Sequence, residues 1–267
     1  MKTQTKLKLA IFSLFICYPI MVGMNSFKFI ISPPLVNLKL RPNELKKIDL
    51  TVYNQNDKKL SLLIRTCSLE MDKKGNALAS DKTNDPFSCA TWLKIPVDNI
   101  TIDPHAKKIV PVEIKVPYGA TGGKYGIILF ETATQPQTRD EIVLIGRMGT
   151  IFMLEVYGAK KIDAAIKGFK IAKENGSIHF TAQIFNSGNT HFKARGSVII
   201  KDNLDKIVDR VKLEVGTGSV LPNHEREFAG VWNNPRKMEK GKYRAILQIF
   251  IPGHGRTLQE VKDFIIN

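Results

Sequence analysis

Five histidines, two acids ahead of a strand and three cysteines are the residues of this chain whose chemistry is worth asking about first. His105, His179, His191, His224 and His254 stand far apart and make no H-x-x-H or H-E-x-x-H spacing. No turn or helix face therefore brings two imidazoles to one metal by sequence alone. Each reads as a surface histidine, His179 on the polar side of a strand and the others in or beside turns. Gly216-Thr217-Gly218-Ser219 lacks the closing glycine of a G-x-S-x-G elbow, and neither phosphate-cradling glycine motif occurs. Asp98 and Asp103 lie in a turn before a strand, where a carboxylate accepts from loop N–H groups. Nothing assembles a nucleophile, a base and oxyanion donors. The expectation is a protein that is not an enzyme and takes no metal and no cofactor.

Cys17 falls in the first apolar stretch, which leaves Cys67 and Cys89, 22 residues apart. Two such cysteines are too few for a metal site and too widely spaced for a C-x-x-C redox pair. In an oxidising compartment they predict one disulfide, which on the chain-entropy model stabilises the fold by about 3 kcal/mol. Trp92 and Trp232 read as core anchors.

That compartment is suggested by the N-terminus. Lys2, Lys6 and Lys8 precede an apolar run from Leu9 to Val22, and Gly23, Asn25 and Ser26 follow. This is the layout of a secretory signal over residues 1–26, with an apolar run short of the roughly 20 residues of a membrane span. An uncleaved N-terminal anchor is the competing reading. The mature chain is expected to be periplasmic or otherwise extracytoplasmic, without a transmembrane segment. Losing residues 1–26 takes three lysines and no acids from a formal charge of +15, leaving about +12. Export argues against nucleic acid, as does the lack of aromatics interleaved with the basic residues. A solvated basic surface and an anionic cell-wall polymer as partner both remain open.

The elements that must position anything functional are strands. Val110, Val112, Ile114 and Val116 alternate with polar or proline positions up to Pro117, and glycines 119, 122 and 123 precede a second run, Tyr125 to Phe130. Pro33-Pro34 predicts a strand switch or kink. Ile142 to Tyr157 is nearly all apolar, with Gly146 and Gly149 inside it, and reads as a strand with a bulge or a close backbone approach. The second half repeats the grammar: Asn175-Gly176 signals a hairpin, Ile178 to Ile184 alternates, and Tyr243, Ala245, Leu247 and Ile249 share a face. Short strands at intervals of about ten residues, with no helical period, predict an all-β protein. The expected organisation is a signal peptide over 1–26 and two immunoglobulin-like β-sandwich domains, 27–157 and 158–267.

Three stretches of the first half carry a family resemblance: LTVYNQND (50–57), IDPHAKKIV (102–110) and EIVLIGRMGTIF (141–152). Taken in order they resemble the PapD-like periplasmic pilus-assembly chaperones, over roughly residues 30–157. In that family the last strand of the first domain is lent to an incomplete subunit and completes its sheet. The resemblance implies a protein subunit of a secreted or surface structure as partner, with Ile142 and Leu144 as the donated apolar residues. Arg147 would stand in for the basic residue that holds the subunit's terminal carboxylate. The other reading gives Ile142 and Leu144 to the domain's own core and Arg147 to solvent. The family's second basic anchor, in its first strand, has no counterpart in Pro33-Pro34-Leu35-Val36-Asn37. The second half, with FNSGNTHFKARGSVIIKD and GKYRAILQIF, is similar to immunoglobulin-like modules of bacterial surface proteins, which implies a structural or binding module at the cell surface or wall as the alternative function.

Overall fold

The computed structural model describes residues 28–82, 84–133, 145–214, 219–233 and 239–267. The expected signal peptide lies outside these residues. Through Val156 the strands are β1 (Phe29–Ser32), β2 (Leu35–Leu40), β3 (Leu45–Asn54), β4 (Leu60–Met71), β5 (Ala77–Ser80), β6 (Leu93–Lys94), β7 (Asn99–Ile102), β8 (Lys107–Lys115), β9 (Gly122–Thr132) and β10 (Arg147–Val156). They form one sheet of order β1-β3-β8-β6 and a second of order β2-β10-β9-β4-β5, with β7 paired to β4. From Ala164 on come β11 (Ala164–Glu174), β12 (Ser177–Asn186), β13 (Phe192–Lys193), β14 (Arg195–Lys201), β15 (Ile207–Leu213), β16 (Ser219–Val220), β17 (Glu225–Trp232), β18 (Gly241–Phe250) and β19 (Leu258–Ile266). Here the sheets are β11-β12-β17, the two-stranded β13-β16, and β15-β14-β18-β19. The protein is all-β, two sandwiches in tandem.

Period-two burial explains both. Val110, Val112 and Ile114 of β8 face Leu50 and Val52 of β3 in one core, closed from the other sheet by Leu62, Ile128, Phe130, Phe152 and Leu154. In the second sandwich Phe180, Ala182 and Ile184 pack with Val198, Phe228 and the Tyr243–Ile249 series. Trp232 is buried there, and Trp92 packs partly buried against the first core. The Asn175-Gly176 hairpin is present, both residues at positive φ as a tight two-residue turn requires. Gly149 is a close approach and not a bulge: the β9–β10 register runs unbroken, and a Cβ there would lie 2.7 Å from Ile127 Cγ2.

Each sandwich also has a buried asparagine where a long strand ends. Asn54 Nδ2 donates to the carbonyls of Lys58, Ile102 and Asp103, and Asn186 Nδ2 donates to those of Thr190 and Val220. One amide thus ties three chain segments together at a place where main-chain carbonyls would otherwise be buried without donors.

The expected disulfide is corrected. Cys67 and Cys89 are both buried free thiols. Leu60, Leu62 and Ile64 of β4 point into the sandwich core, and alternation puts Cys67 with Leu69 on the opposite face. Cys89 belongs to the core cluster itself. A sheet stands between the two sulfurs, and a disulfide requires Cβ atoms that face each other.

Candidate functional site

The chain crosses from one sheet of the first sandwich to the other at Ser32–Pro33–Pro34. β1 pairs with β3, whereas β2 pairs in parallel with β10. Pro33 and Pro34 offer no N–H to either ladder, so the crossing falls where a strand is easiest to interrupt. Its consequence lies on β10. The parallel pairing begins at Ile151↔Leu35 and runs to Val156↔Leu40, so among the described residues Arg147 to Thr150 pair with β9 alone.

The free side of that segment carries usable main-chain groups. Ile151 N–H donates to Pro34 O at 3.0 Å, which fixes the β2 side as the one addressed by odd-numbered residues. The even-numbered Gly146 meets β9 instead, its carbonyl accepting from Thr132 N–H and its N–H donating to Thr132 Oγ1. Arg147 and Gly149 accordingly present N–H and C=O groups to an edge that β2 has not yet reached.

Side chains follow the same parity. Phe152, Leu154 and Val156 enter the core, Thr150 is buried with its hydroxyl donating to Pro33 O at 2.9 Å, and Met148 continues the row but is 38% exposed. Ile145, just before the strand, is also exposed. The apolar row therefore runs out past the end of its own core.

On the outer face the segment ends in charge. Arg147 Nε lies 2.6 Å from Glu131 Oε1, and Arg65 Nε lies 3.1 Å from Glu131 Oε2. Arg65 also reaches Asp81 at 2.6 Å. The hydrogen bond to Glu131 holds the Arg65 guanidinium above its ordinary range. Beyond this row lies an apolar strip of Cys67, Leu69, Ile127, Leu129 and Met153, with Leu221 of the second sandwich packed against it.

The sandwiches meet through specific contacts. Tyr125 Oη accepts from the His191 main-chain N–H at 2.7 Å and lies 3.1 Å from its Nδ1. Gly123 N–H donates to Asn189 O, and Glu227 N–H donates to Lys73 O. Lys73 Nζ lies 2.8 Å from Glu225, and the Arg226 guanidinium covers Gly75, where a Cβ would fall 1.7 Å from its nitrogens. His191 is thus a junction residue and not the surface histidine expected from its turn-like sequence. Among the described residues no cluster of histidine, cysteine and carboxylate side chains has the makings of a metal site.

Of the sequence-predicted site residues, Arg147 stands at the start of β10 beside Glu131, while Ile142 and Leu144 lie outside the described residues. Arg65 and Glu131 were missed. Their signal was weak, because a lone arginine and a lone glutamate in apolar strands carry no motif.

No family model matches the chain, and no curated protein matches its sequence. The architecture is similar to that of fimbrial chaperones. A chain from the chaperone–tip adhesin complex of CFA/I fimbriae is 13% identical, covers 88% of this chain and 98% of its own, and gives a TM-score of 0.46. The class 5 fimbriae chaperone CfaA is 14% identical over 88% of this chain and 99% of its own, with a TM-score of 0.44. The E. coli chaperone DraB is 11% identical over 90% and 98%, with a TM-score of 0.41. At these scores the likeness is one of general architecture and carries no residue roles.

Proposed function

We propose that this is an exported, non-enzymatic chaperone-like protein that binds a partner subunit by adding a strand to the open half of β10, in the assembly of a pilus or other surface structure. The observation that carries this is that, among the described residues, Arg147 to Thr150 pair with β9 alone, directly upstream of the point where β2 closes the same edge. An extended segment seated there would meet the main-chain groups of Arg147 and Gly149 and continue the line of β2. The solved fimbrial chaperones of similar architecture, one in a chaperone–tip adhesin complex, agree in kind with such a partner.

Ile142 and Leu144 share sequence parity with Met148, and in this reading they supply the apolar side chains that fill the partner's unfinished core. Arg147 is assigned to the partner's terminal carboxylate, with Arg65 the second cation of the row. The same reading places the protein in the periplasm, on the strength of its lysine-led apolar N-terminus, and divides it into domains over 27–157 and 158–267, each with its own apolar core.

The test is site-specific photocrosslinking in the native host. A benzophenone side chain at position 148 is expected to capture one exported polypeptide through its terminal extended segment, and the same group at Leu78, an exposed residue of the outlying strand β5, is expected to capture nothing comparable. Equal adducts from both positions, or none from 148, would remove the edge from consideration.

A further inference from the structure

The outer face of the sheet β15-β14-β18-β19 is divided by charge. At one end two of its cations are ion-paired, Lys201 Nζ lying 2.9 Å from Asp205 and Arg244 Nε 3.0 Å from Asp263. At the other end Arg195, Arg210 and Lys212 border a groove of about 660 Å³ together with Ser197, Gln248 and Phe250. None of these three arginine and lysine side chains forms an ion pair with another described residue, and all three are exposed. Register draws them together: Lys212 lies opposite Ser197, which lies opposite Gln248, while Arg195 lies opposite Phe250. The acid at the rim is Glu214.

We infer that this groove binds an acidic polysaccharide. The three cations meet its carboxylate or sulfate groups, and the Gln248 amide and Ser197 hydroxyl match sugar hydroxyls in both donor and acceptor capacity. The Phe250 ring, 51% exposed, offers a flat apolar surface to the C–H face of a pyranose ring. A strand of nucleic acid would call for successive aromatic platforms, and the groove has one. A membrane surface is flat, whereas these groups line a concavity. The formal charge of about +12 left after residues 1–26 supplies the long-range field that draws a polyanion in. The groove lies in the second sandwich, so this inference stands or falls independently of strand addition at β10.

The full chain is titrated with alginate, with neutral dextran as control, in about 50 mM and about 300 mM salt. Alginate is expected to bind, more weakly at the higher salt, and dextran is not. The triple variant Arg195→Ser, Arg210→Ser, Lys212→Ser is expected to lose about tenfold or more in affinity, three exposed ion pairs' worth. Phe250→Ala also weakens binding, at both salt concentrations. The equally discharged variant Lys201→Ser, Lys206→Ser, Arg244→Ser keeps full affinity, and thermal melts confirm that every variant is folded. The inference fails if the two triple variants lose affinity equally, if Phe250→Ala has no effect, if alginate does not bind, or if phosphatidylglycerol vesicles bind through the same three cations in its place.

Discussion

Ile151 faces Leu35 across a parallel pair of strands, and that pairing is the boundary between the closed and the open halves of β10. Upstream the strand holds, among the described residues, to β9 alone, yet it keeps the same alternation, so Met148 lies in line with Phe152 and Leu154 but beyond the residues that bury them. Soluble proteins rarely leave a regular strand edge beside exposed apolar side chains, because such an edge templates pairing with another chain. Here the edge is bounded by the crossing at Ser32–Pro34, which takes β1 away to the other sheet.

Two substitutions at one position separate the main-chain and side-chain contributions of that edge. Arg147→Ala removes the guanidinium but leaves the N–H, whereas Arg147→Pro removes both, at a strand start where proline is tolerated. Partner affinity is expected to fall in both variants. The further fall from alanine to proline should be about fivefold, close to 1 kcal/mol for one hydrogen bond. Equal affinities for the two variants in a binding titration would mean that the partner makes no main-chain bond there.

Much of the fold was legible because strand alternation is a local signal. Val110 to Ile114, Ile178 to Ile184 and Tyr243 to Ile249 each bury the face that their spacing selects. The proline pair announced the crossing, although not which strand it would leave uncovered. β5 and β7 were missed, since Ala77–Ser80 is short and polar in context and Asn99–Ile102 reads as part of a turn. The cysteine error has a physical source: counting residues says nothing of the face to which alternation assigns each thiol. Of the candidate edge the sequence singled out Arg147 alone, because an open edge is defined by a neighbour's absence and Glu131 becomes relevant only through cross-strand register.

The free thiols give a direct check. Reductant is expected to leave the melting temperature of the folded protein unchanged, and thiol reagents should label Cys67 and Cys89 only on unfolding. Burial pushes both thiols above the ordinary cysteine range, so the folded state resists forming thiolates. Stability from these groups is complete below the unfolded-chain value and declines as pH rises past it toward the folded values. A melting temperature that drops on adding reductant at neutral pH would show a bridge.

Gly75 tests the junction between the sandwiches. Its φ of +92° disfavours any side chain, and a Cβ would displace the Arg226 guanidinium. Gly75→Ala is expected to destabilise the protein by about 2 kcal/mol, combining backbone strain with loss of that packing. Gly119→Ala, also at positive φ but with open space around its Cβ, bears the strain alone and should cost less. Urea midpoints that fall equally in the two variants would leave the Arg226 contact with no measurable weight.

His191 makes the same junction sensitive to acid. Burial against the Tyr125 ring and hydroxyl lowers its pKa, a shift opposed by Glu155 and reinforced by Lys160 and Lys193. A histidine with a depressed folded pKa contributes stability that is present above the unfolded value of about 6.5 and is lost as pH falls through the folded value. The mechanism is that the unfolded chain takes up a proton that the folded junction refuses. His191→Gln retains an amide able to face the Tyr125 hydroxyl but does not titrate. The wild-type urea midpoint is therefore expected to fall more steeply than that of the variant between about pH 7.5 and about pH 5.5. Parallel declines would assign the acid sensitivity to other groups and leave His191 with a packing role only.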